Sequence, residues 1–304
     1  MDLHSRSTIN YIKDKYGFSL RKGLGQNFLI DPRPLMEMIE GSGTGSEDLV
    51  IEIGPGIGAL TAEAARAAAH VTAIELDDKL IPILSETLSG HENVDVVHGD
   101  VLDVDLEELI RDRKSQYGIK GKTRIIGNLP YYITTPIVMK LLEGNIGVDS
   151  ITIMTQKEVA DRMKASPGGK DYGALSLMVQ YRCKVEPVAK ISKESFYPVP
   201  KVDSAIVNFR VLDEKPVAVE DEKLFFRCIK AGFGQRRKTL LNALSAGLGS
   251  PKIEIESILR DAEIDPGRRA ETLSIEEFAR LSNEMTKRKI NEGCSEAHNR
   301  SDNR

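Results

Sequence analysis

Short β-branched apolar runs alternate with stretches of helical periodicity along the first two thirds of the chain. Leu49-Val50-Ile51-Glu52-Ile53 reads as a first buried strand, and Gly54-Pro55-Gly56-Ile57-Gly58 turns it into a helix from about Ala59. Val71 to Ile74 is a second strand ending at Glu75, followed by a helix from Asp77 to Leu88. Val94 to Val97 is a third strand before Gly99-Asp100, and Ile125 to Gly127 a fourth. Ile137 to Leu142 is helical, and Ser150 to Thr155 gives a fifth strand. Strands alternating with helices predict a parallel sheet with both faces covered, an α/β fold. Val185 to Ile191 and Ser204 to Val211 predict later strands, the last antiparallel.

After Leu212 the pattern changes. Asp213-Glu214-Lys215-Pro216 reads as a linker, and apolar spacing becomes helical at Leu224, Phe225, Cys228 and Ile229, then at Leu240, Leu241 and Leu244. Ser274-Ile275-Glu276-Glu277 has the spacing of a capping box that opens a last helix. The pattern predicts a sheet domain over 1–212 with an N-terminal extension over 1–48, a helical domain over 213–290, and a disordered polar tail over 291–304.

Two places carry candidate chemistry. Gly54, Gly56 and Gly58 permit a tight turn and close backbone approach, and Glu75 follows Gly54 at the spacing of a ribose-binding carboxylate. The loop alone fits a nicotinamide dinucleotide as well as S-adenosylmethionine. Asn128-Leu129-Pro130-Tyr131, at the carboxyl end of the fourth strand, is more telling. Pro130 pushes Leu129 into an extended backbone, so the carbonyls of Asn128 and Leu129 can face a ligand, with Tyr131 beside them to stack on a base. An adenine N6 amine is a poor nucleophile, because its lone pair is conjugated into the ring; acceptors that grip its hydrogens aim that lone pair at an electrophilic methyl. With Asp100 placed to accept from an adenine amine, methyl transfer is favoured over hydride transfer. Each residue also has a structural alternative: Glu75 and Asp100 as helix caps, Tyr131 as a buried tyrosine after a turn.

Composition narrows the class. The three cysteines are widely spaced and odd in number, which argues for reduced thiols in a cytosol, and the five histidines show no metal-ligand spacing. No apolar run is long enough to span a bilayer. The expected protein is cytoplasmic and monomeric, with no metal and no membrane. Net charge is only −4, yet Glu37 to Ile110 holds 17 acidic and 2 basic residues, while Arg227 to Lys238 holds five basic and none acidic. Such segregation allows a phosphate-facing basic surface beside an acidic one.

Five ordered motifs then carry a resemblance: Gly25-Gln26-Asn27-Phe28-Leu29, Glu52-Ile53-Gly54-Pro55-Gly56, Asn128-Leu129-Pro130-Tyr131, Phe196-Tyr197-Pro198-Val199-Pro200-Lys201-Val202-Asp203-Ser204, and Phe233-Gly234-Gln235-Arg236-Arg237-Lys238-Thr239-Leu240. Together they resemble the ribosomal RNA adenine N6,N6-dimethyltransferases, in their bacterial small-subunit, kasugamycin-sensitivity branch, from about Arg21 to Leu281. The resemblance implies a Rossmann-like methyltransferase sheet with a small C-terminal helical domain. It implies that S-adenosylmethionine contacts Asn27, Leu29, Gly54, Glu75, Asp100 and Asn128. The implied substrate is a pair of adjacent adenines in the 3′-terminal hairpin loop of 16S ribosomal RNA within the pre-30S particle, each dimethylated. Asn128 and Leu129 would orient N6, and Phe196 would stack on the flipped base opposite Tyr131, unless it is a core anchor. Gln180, Lys201, Arg236, Arg237 and Lys238 are candidates for phosphate or pocket support. The large-subunit erythromycin-resistance dimethylase and a ribosome-assembly checkpoint are the competing readings.

Overall fold

A computed structural model of the chain describes residues 1–18, 26–142 and 146–301, with side chains as far as Arg288. The motif residue Gly25, and Arg21 where the resemblance begins, lie outside the described residues. Two compact units result, Met1–Ala160 with Cys183–Leu212, and Asp161–Arg182 with Asp213–Arg304.

The first unit is built on a seven-stranded sheet. Strands β2 (Leu49–Ile53), β3 (His70–Glu75), β4 (Val94–His98), β5 (Thr123–Asn128) and β6 (Ser150–Gln156) run parallel, while β9 (Ser204–Val211) is antiparallel between β6 and β7 (Cys183–Ile191). The order β4-β3-β2-β5-β6-β9-β7 makes the chain leave β2 toward β3 and return on its other side as β5. That reversal opens a crevice at the carboxyl ends of β2 and β5, where such sheets bind ligands. Every residue of β2 and β3 is buried. Continuous burial is why these strands read as mostly apolar runs, broken by single buried polar residues such as Glu52 and Thr72; each Val, Leu or Ile so covered contributes about 1.5–3 kcal/mol.

Helices α1 (Arg6–Tyr16), α2 (Arg33–Ser42), α3 (Ala59–Ala67), α4 (Ile81–Thr87), α5 (Leu106–Tyr117) and α6 (Thr134–Leu142) belong to this unit, and α7 (Lys157–Met163) ends beyond it. The helix expected from Asp77 begins only at Ile81. Asp77 instead forms a turn, its carboxylate accepting from Lys79 N–H at 3.2 Å and its carbonyl from Leu80 N–H at 2.9 Å, and Pro82 fits only a helix's first turn.

The extension before β2 carries two features the apolar pattern did not reveal. Helix α1 is capped by Ser5, whose hydroxyl accepts from Thr8 N–H at 3.0 Å, and it buries Ile9 and Ile12 with Phe18, Phe28, Ile83 and Leu84. Strand β1 (Phe28–Leu29) pairs antiparallel with β8 (Phe196–Tyr197), in the register Leu29↔Phe196 and Phe28↔Tyr197. Two-residue strands are too short to show alternation, which is why only the motifs marked them.

The second unit holds α8 (Ala174–Gln180), α9 (Glu222–Phe233), α10 (Leu240–Leu248), α11 (Lys252–Asp261) and α12 (Ile275–Ser301). This unit resumes at Asp213 and also takes in Asp161–Arg182, a segment expected within the sheet domain. Fully buried Tyr181 explains it: its ring lies 4.9 Å from that of Phe225 on α9, and its hydroxyl donates to Glu222 at 3.1 Å. The capping box is formed, with Ser274 N–H donating to Glu277 at 2.8 Å and Glu277 N–H to Ser274 Oγ at 3.4 Å. The polar tail expected to be disordered from 291 instead continues α12 as far as Ser301. Among the described residues, no helix is long and apolar enough to cross a membrane.

Candidate functional site

The crevice at the carboxyl ends of β2 and β5 is a cleft of about 1170 Å³, counted to its opening in solvent. Its glycine turn places Gly54, Gly56 and Gly58 at φ of +70°, +61° and +87°. At Gly56 the restriction is also spatial, since a Cβ there would come within 3.1 Å of the Phe28 ring that β1 lays over the turn. At Gly127 a Cβ would meet the Ile53 carbonyl at 2.8 Å, so only glycine lets the end of β5 run against the end of β2. That approach brings Asn128 beside the glycine turn.

Acids line the cleft. Glu75 is buried at the end of β3, with Oε1 accepting from Asp77 N–H at 2.8 Å and Oε2 from Gly56 N–H at 3.3 Å. Burial raises its pKa above the usual carboxylate range, against the pull of those two backbone hydrogen bonds. Asp100, after β4, accepts from Leu102 N–H at 2.8 Å within a turn and stays on the cleft wall; the cap of α5 is Asp105, which accepts from Glu108 N–H at 3.0 Å, so the capping alternative for Asp100 does not hold. Its loop is held by Lys140, whose ammonium donates to the carbonyls of Leu102 and Val104 at 2.6 and 2.8 Å. Glu52 on β2 also lines the cleft. It was not singled out from the sequence; in a strand that is buried throughout, its charge was the available signal. Burial pushes the Glu52 carboxyl up to about 8, the Thr61 hydroxyl working against the shift and the Glu75 charge adding to it.

Among the described residues, no lysine, arginine or histidine lines the cleft. Carboxyls without a balancing cation suit a ligand that carries positive charge better than a diphosphate-linked dinucleotide. The apolar wall of Ile53, Ile57, Leu60, Ile74 and Val101 suits an adenine ring between them.

The Asn128-Leu129-Pro130-Tyr131 segment leaves β5 as expected. Leu129 N–H donates to the Met154 carbonyl at 3.1 Å, which fixes the segment to β6. The Pro130 carbonyl accepts from Ile133 N–H and Thr134 Oγ1, both at 3.1 Å, closing the turn into α6. Asn128 Nδ2 donates to the Asn27 carbonyl at 3.4 Å, which joins the first motif to the third and leaves Oδ1 as an acceptor. Among the described residues, no donor reaches Asn128 Oδ1 or the Leu129 carbonyl. Two acceptors for one amine therefore stand at the cleft. Tyr131 is half-buried, with its hydroxyl 2.7 Å from Ser204 Oγ. Burial raises its phenol pKa, the Ser204 hydrogen bond opposing and the Asp203 charge adding, so the group is neutral near pH 7 and no general base. Ser204, the last residue of the fourth motif, is the partner that sequence reasoning missed. The adjacency of its motif to Tyr131 emerges only when β9 pairs with β6.

Phe196 departs from the expected exposed stacking platform. Its side chain touches the cleft but is only 1% exposed, packed in the core cluster with Leu29, Leu35, Met38 and Ile206. Pairing with Leu29 across β1 and β8 draws it inward, which is the core-anchor alternative. Asn27 lines the cleft through the loop that precedes β1, and Leu29 is buried beneath it.

The basic candidates divide. Gln180 is committed to the fold, donating to the carbonyls of Met163 and Ala165 at 3.1 and 2.9 Å. Arg236 donates to the Lys170 carbonyl and lies 3.5 Å from Glu271. Lys201, Arg237 and Lys238 are exposed.

Comparison with known proteins adds the following. The family model for ribosomal RNA adenine dimethylase matches residues 17–287. The chain is 51% identical to the ribosomal RNA small subunit methyltransferase A of Clostridioides difficile (strain 630), over 92% of this chain and 96% of that protein. It is 48% identical to the protein of the same name from Bacillus pumilus (strain SAFR-032), over 91% and 94%. Among solved structures it is similar to the 23S rRNA methyltransferase ErmE, with a TM-score of 0.62, 29% identity and coverage of 84% of this chain and 98% of that one. A dimethyladenosine transferase from Plasmodium falciparum shares the fold, with a TM-score of 0.68 at 24% identity, over 83% and 95%.

Proposed function

The chain belongs to the ribosomal RNA adenine dimethylase family, and from that premise we propose that it dimethylates N6 of two adjacent adenines in the 3′-terminal hairpin loop of 16S ribosomal RNA. The reaction takes place in the cytoplasm on the pre-30S particle, with the enzyme acting as a monomer. The observation that carries the reading is the pair of acceptors, Asn128 Oδ1 and the Leu129 carbonyl, beside an acid-lined glycine turn.

S-adenosylmethionine would supply an electrophilic methyl on a sulfonium. Gly54 and Gly56 let the backbone approach it, Glu75 and Asp100 hold its adenosine, and Asn27 and Leu29 cover it. Asn128 Oδ1 and the Leu129 carbonyl hold the N6 hydrogens, so that the nitrogen lone pair faces the methyl in line. The Tyr131 ring stacks on the base, and Phe196 supports the opposite side from the core, touching the base only where its edge meets the cleft. The N6 proton becomes acidic once the nitrogen is alkylated and leaves to water, so no side chain need take it. A base in a hairpin loop costs little to extrude.

Transfer of tritiated methyl to small-subunit particles that lack the modification tests this reading. Incorporation of four methyl groups per particle, mapped to two neighbouring adenines, is expected; incorporation only into large-subunit RNA overturns it in favour of the erythromycin-resistance reaction. The names of the most similar relatives support the small-subunit target. A checkpoint role is separable with Asn128→Ala, which binds and stalls maturing subunits if that role dominates.

A further inference from the structure

Glu52 presents a buried carboxyl that the reaction above does not use. It is 1% exposed, lines the cleft, and its Oε2 has no hydrogen-bond partner among the described residues. An ionised carboxylate left this way carries a heavy desolvation cost. The charge that acts on it is another acid, Glu75 at the end of the neighbouring β3, and Asp100 after β4 stands on the same cleft wall. On α3 stands the neutral Thr61, and at the end of β5 the neutral Asn128. Among the described residues, no lysine, arginine or histidine lines the cleft beside it.

We propose that Glu52 is a proton-linked counter-ion: it is neutral before ligand binds, loses its proton to water as the cationic methyl donor enters, and so favours that donor over the product, whose sulfur is neutral. The inference rests on S-adenosylmethionine being the donor. Charge balances at each stage. Donor binding converts the Glu52 carboxylic acid to carboxylate and releases one proton to solvent. Methyl transfer removes the sulfonium charge, and the carboxylate regains a proton from solvent before or as product leaves. The burial that holds Glu52 protonated up to about pH 8 makes this exchange available at neutral pH.

Calorimetric titration of the full chain in phosphate and in Tris, buffers of different ionisation enthalpy, reads the proton directly. S-adenosylmethionine and sinefungin, which carries an amine at the sulfonium position, are expected to release close to one proton at pH 7. S-adenosylhomocysteine is expected to release far less. In the wild-type protein the affinity for the donor should rise about tenfold per pH unit below about pH 8, while that for the product stays nearly level. Glu52→Gln should lose both the proton release and the slope. If that variant does not fold, the wild-type slopes and buffer dependence still decide. Equal proton release with all three ligands, or none with any, overturns the inference while leaving the donor assignment intact. Failure of both S-adenosyl ligands to bind overturns that assignment and the inference together.

Discussion

Tyr131 separates a ring that stacks from a hydroxyl that reacts, and two substitutions isolate the two. Tyr131→Phe keeps the ring and removes the 2.7 Å hydrogen bond to Ser204. Ser204 is 0% exposed, so its hydroxyl would lose that partner in the interior, at a cost of about 1–3 kcal/mol. For a unit of this size each kcal/mol lowers the melting temperature by about 2–4 °C, so a drop of about 2–12 °C is expected. Methyl transfer should stay within about threefold of wild type when assayed below the melt, because the neutral phenol supplies no base. Tyr131→Ala removes the stacking surface as well, worth about 1–3 kcal/mol per base, or about 5- to 150-fold in kcat/KM. The assay is the initial rate of tritiated-methyl transfer to undermethylated small-subunit particles, with melting followed in parallel. Should the phenylalanine variant lose as much activity as the alanine variant, the hydroxyl would be the chemical group and the stacking argument would fail. An alanine variant at wild-type kcat/KM would remove Tyr131 from the site altogether.

Other perturbations follow from the same geometry. Asn128→Ala should reduce transfer by about 10²-fold or more with little change in melting, as befits an orienting acceptor; equal loss of stability would make it a structural residue. Phe196→Ala should cost about 3–5 kcal/mol in denaturant unfolding because the ring is a core residue, and a cost below about 1 kcal/mol would contradict that placement. Gly56→Val should weaken donor binding and lower the melting temperature, since it combines a φ of +61° with a Cβ 3.1 Å from Phe28; unchanged binding would show that the turn yields more than its contacts suggest. Glu52 has a folded-state pKa raised to about 8 from a usual 4.5, so the native state holds its proton where the unfolded chain has lost it. Its contribution therefore declines as pH rises from about 4.5 to 8, by about 1.4 kcal/mol per unit, and Glu52→Gln should flatten this slope in melting curves.

The alternation of apolar runs was enough to read the five parallel strands and the antiparallel return of β9, because strands covered on both faces are mostly apolar and single polar residues such as Glu52 and Thr72 do not break the run into a helical period. Helix starts were less legible. The late start of α4 depended on a turn that Asp77 makes with its own neighbours, a choice between two local hydrogen-bond patterns that periodicity does not weigh. The segment from Asp161 to Arg182 was assigned to the wrong unit for a related reason: its apolar residues suit either neighbour, and only the packing of Tyr181 on Phe225 decides.

At the cleft, what sequence revealed and what it concealed follow from one distinction. Asn128, Gly54, Glu75 and Asp100 sit at strand ends, where chain order alone fixes which sheet edge they occupy, and their positions could be read before any contact was known. Phe196 and Glu52 could not be read so, because their roles turn on burial. Phe196 lies in a Pro-rich stretch that looks like an exposed loop, yet a two-residue pairing with β1 turns its ring into the core. Glu52 looks like an ordinary charge interrupting a strand, yet the sheet closes on both sides of it. The same strap that hides Phe196 carries Asn27, whose carbonyl accepts from Asn128, so the core position of that ring and the orientation of the Asn128 amide are two consequences of one register. A slip of one residue between β1 and β8 would expose Phe196 and withdraw Asn27 together. The coupling explains why the first and fourth motifs have to be read as a pair.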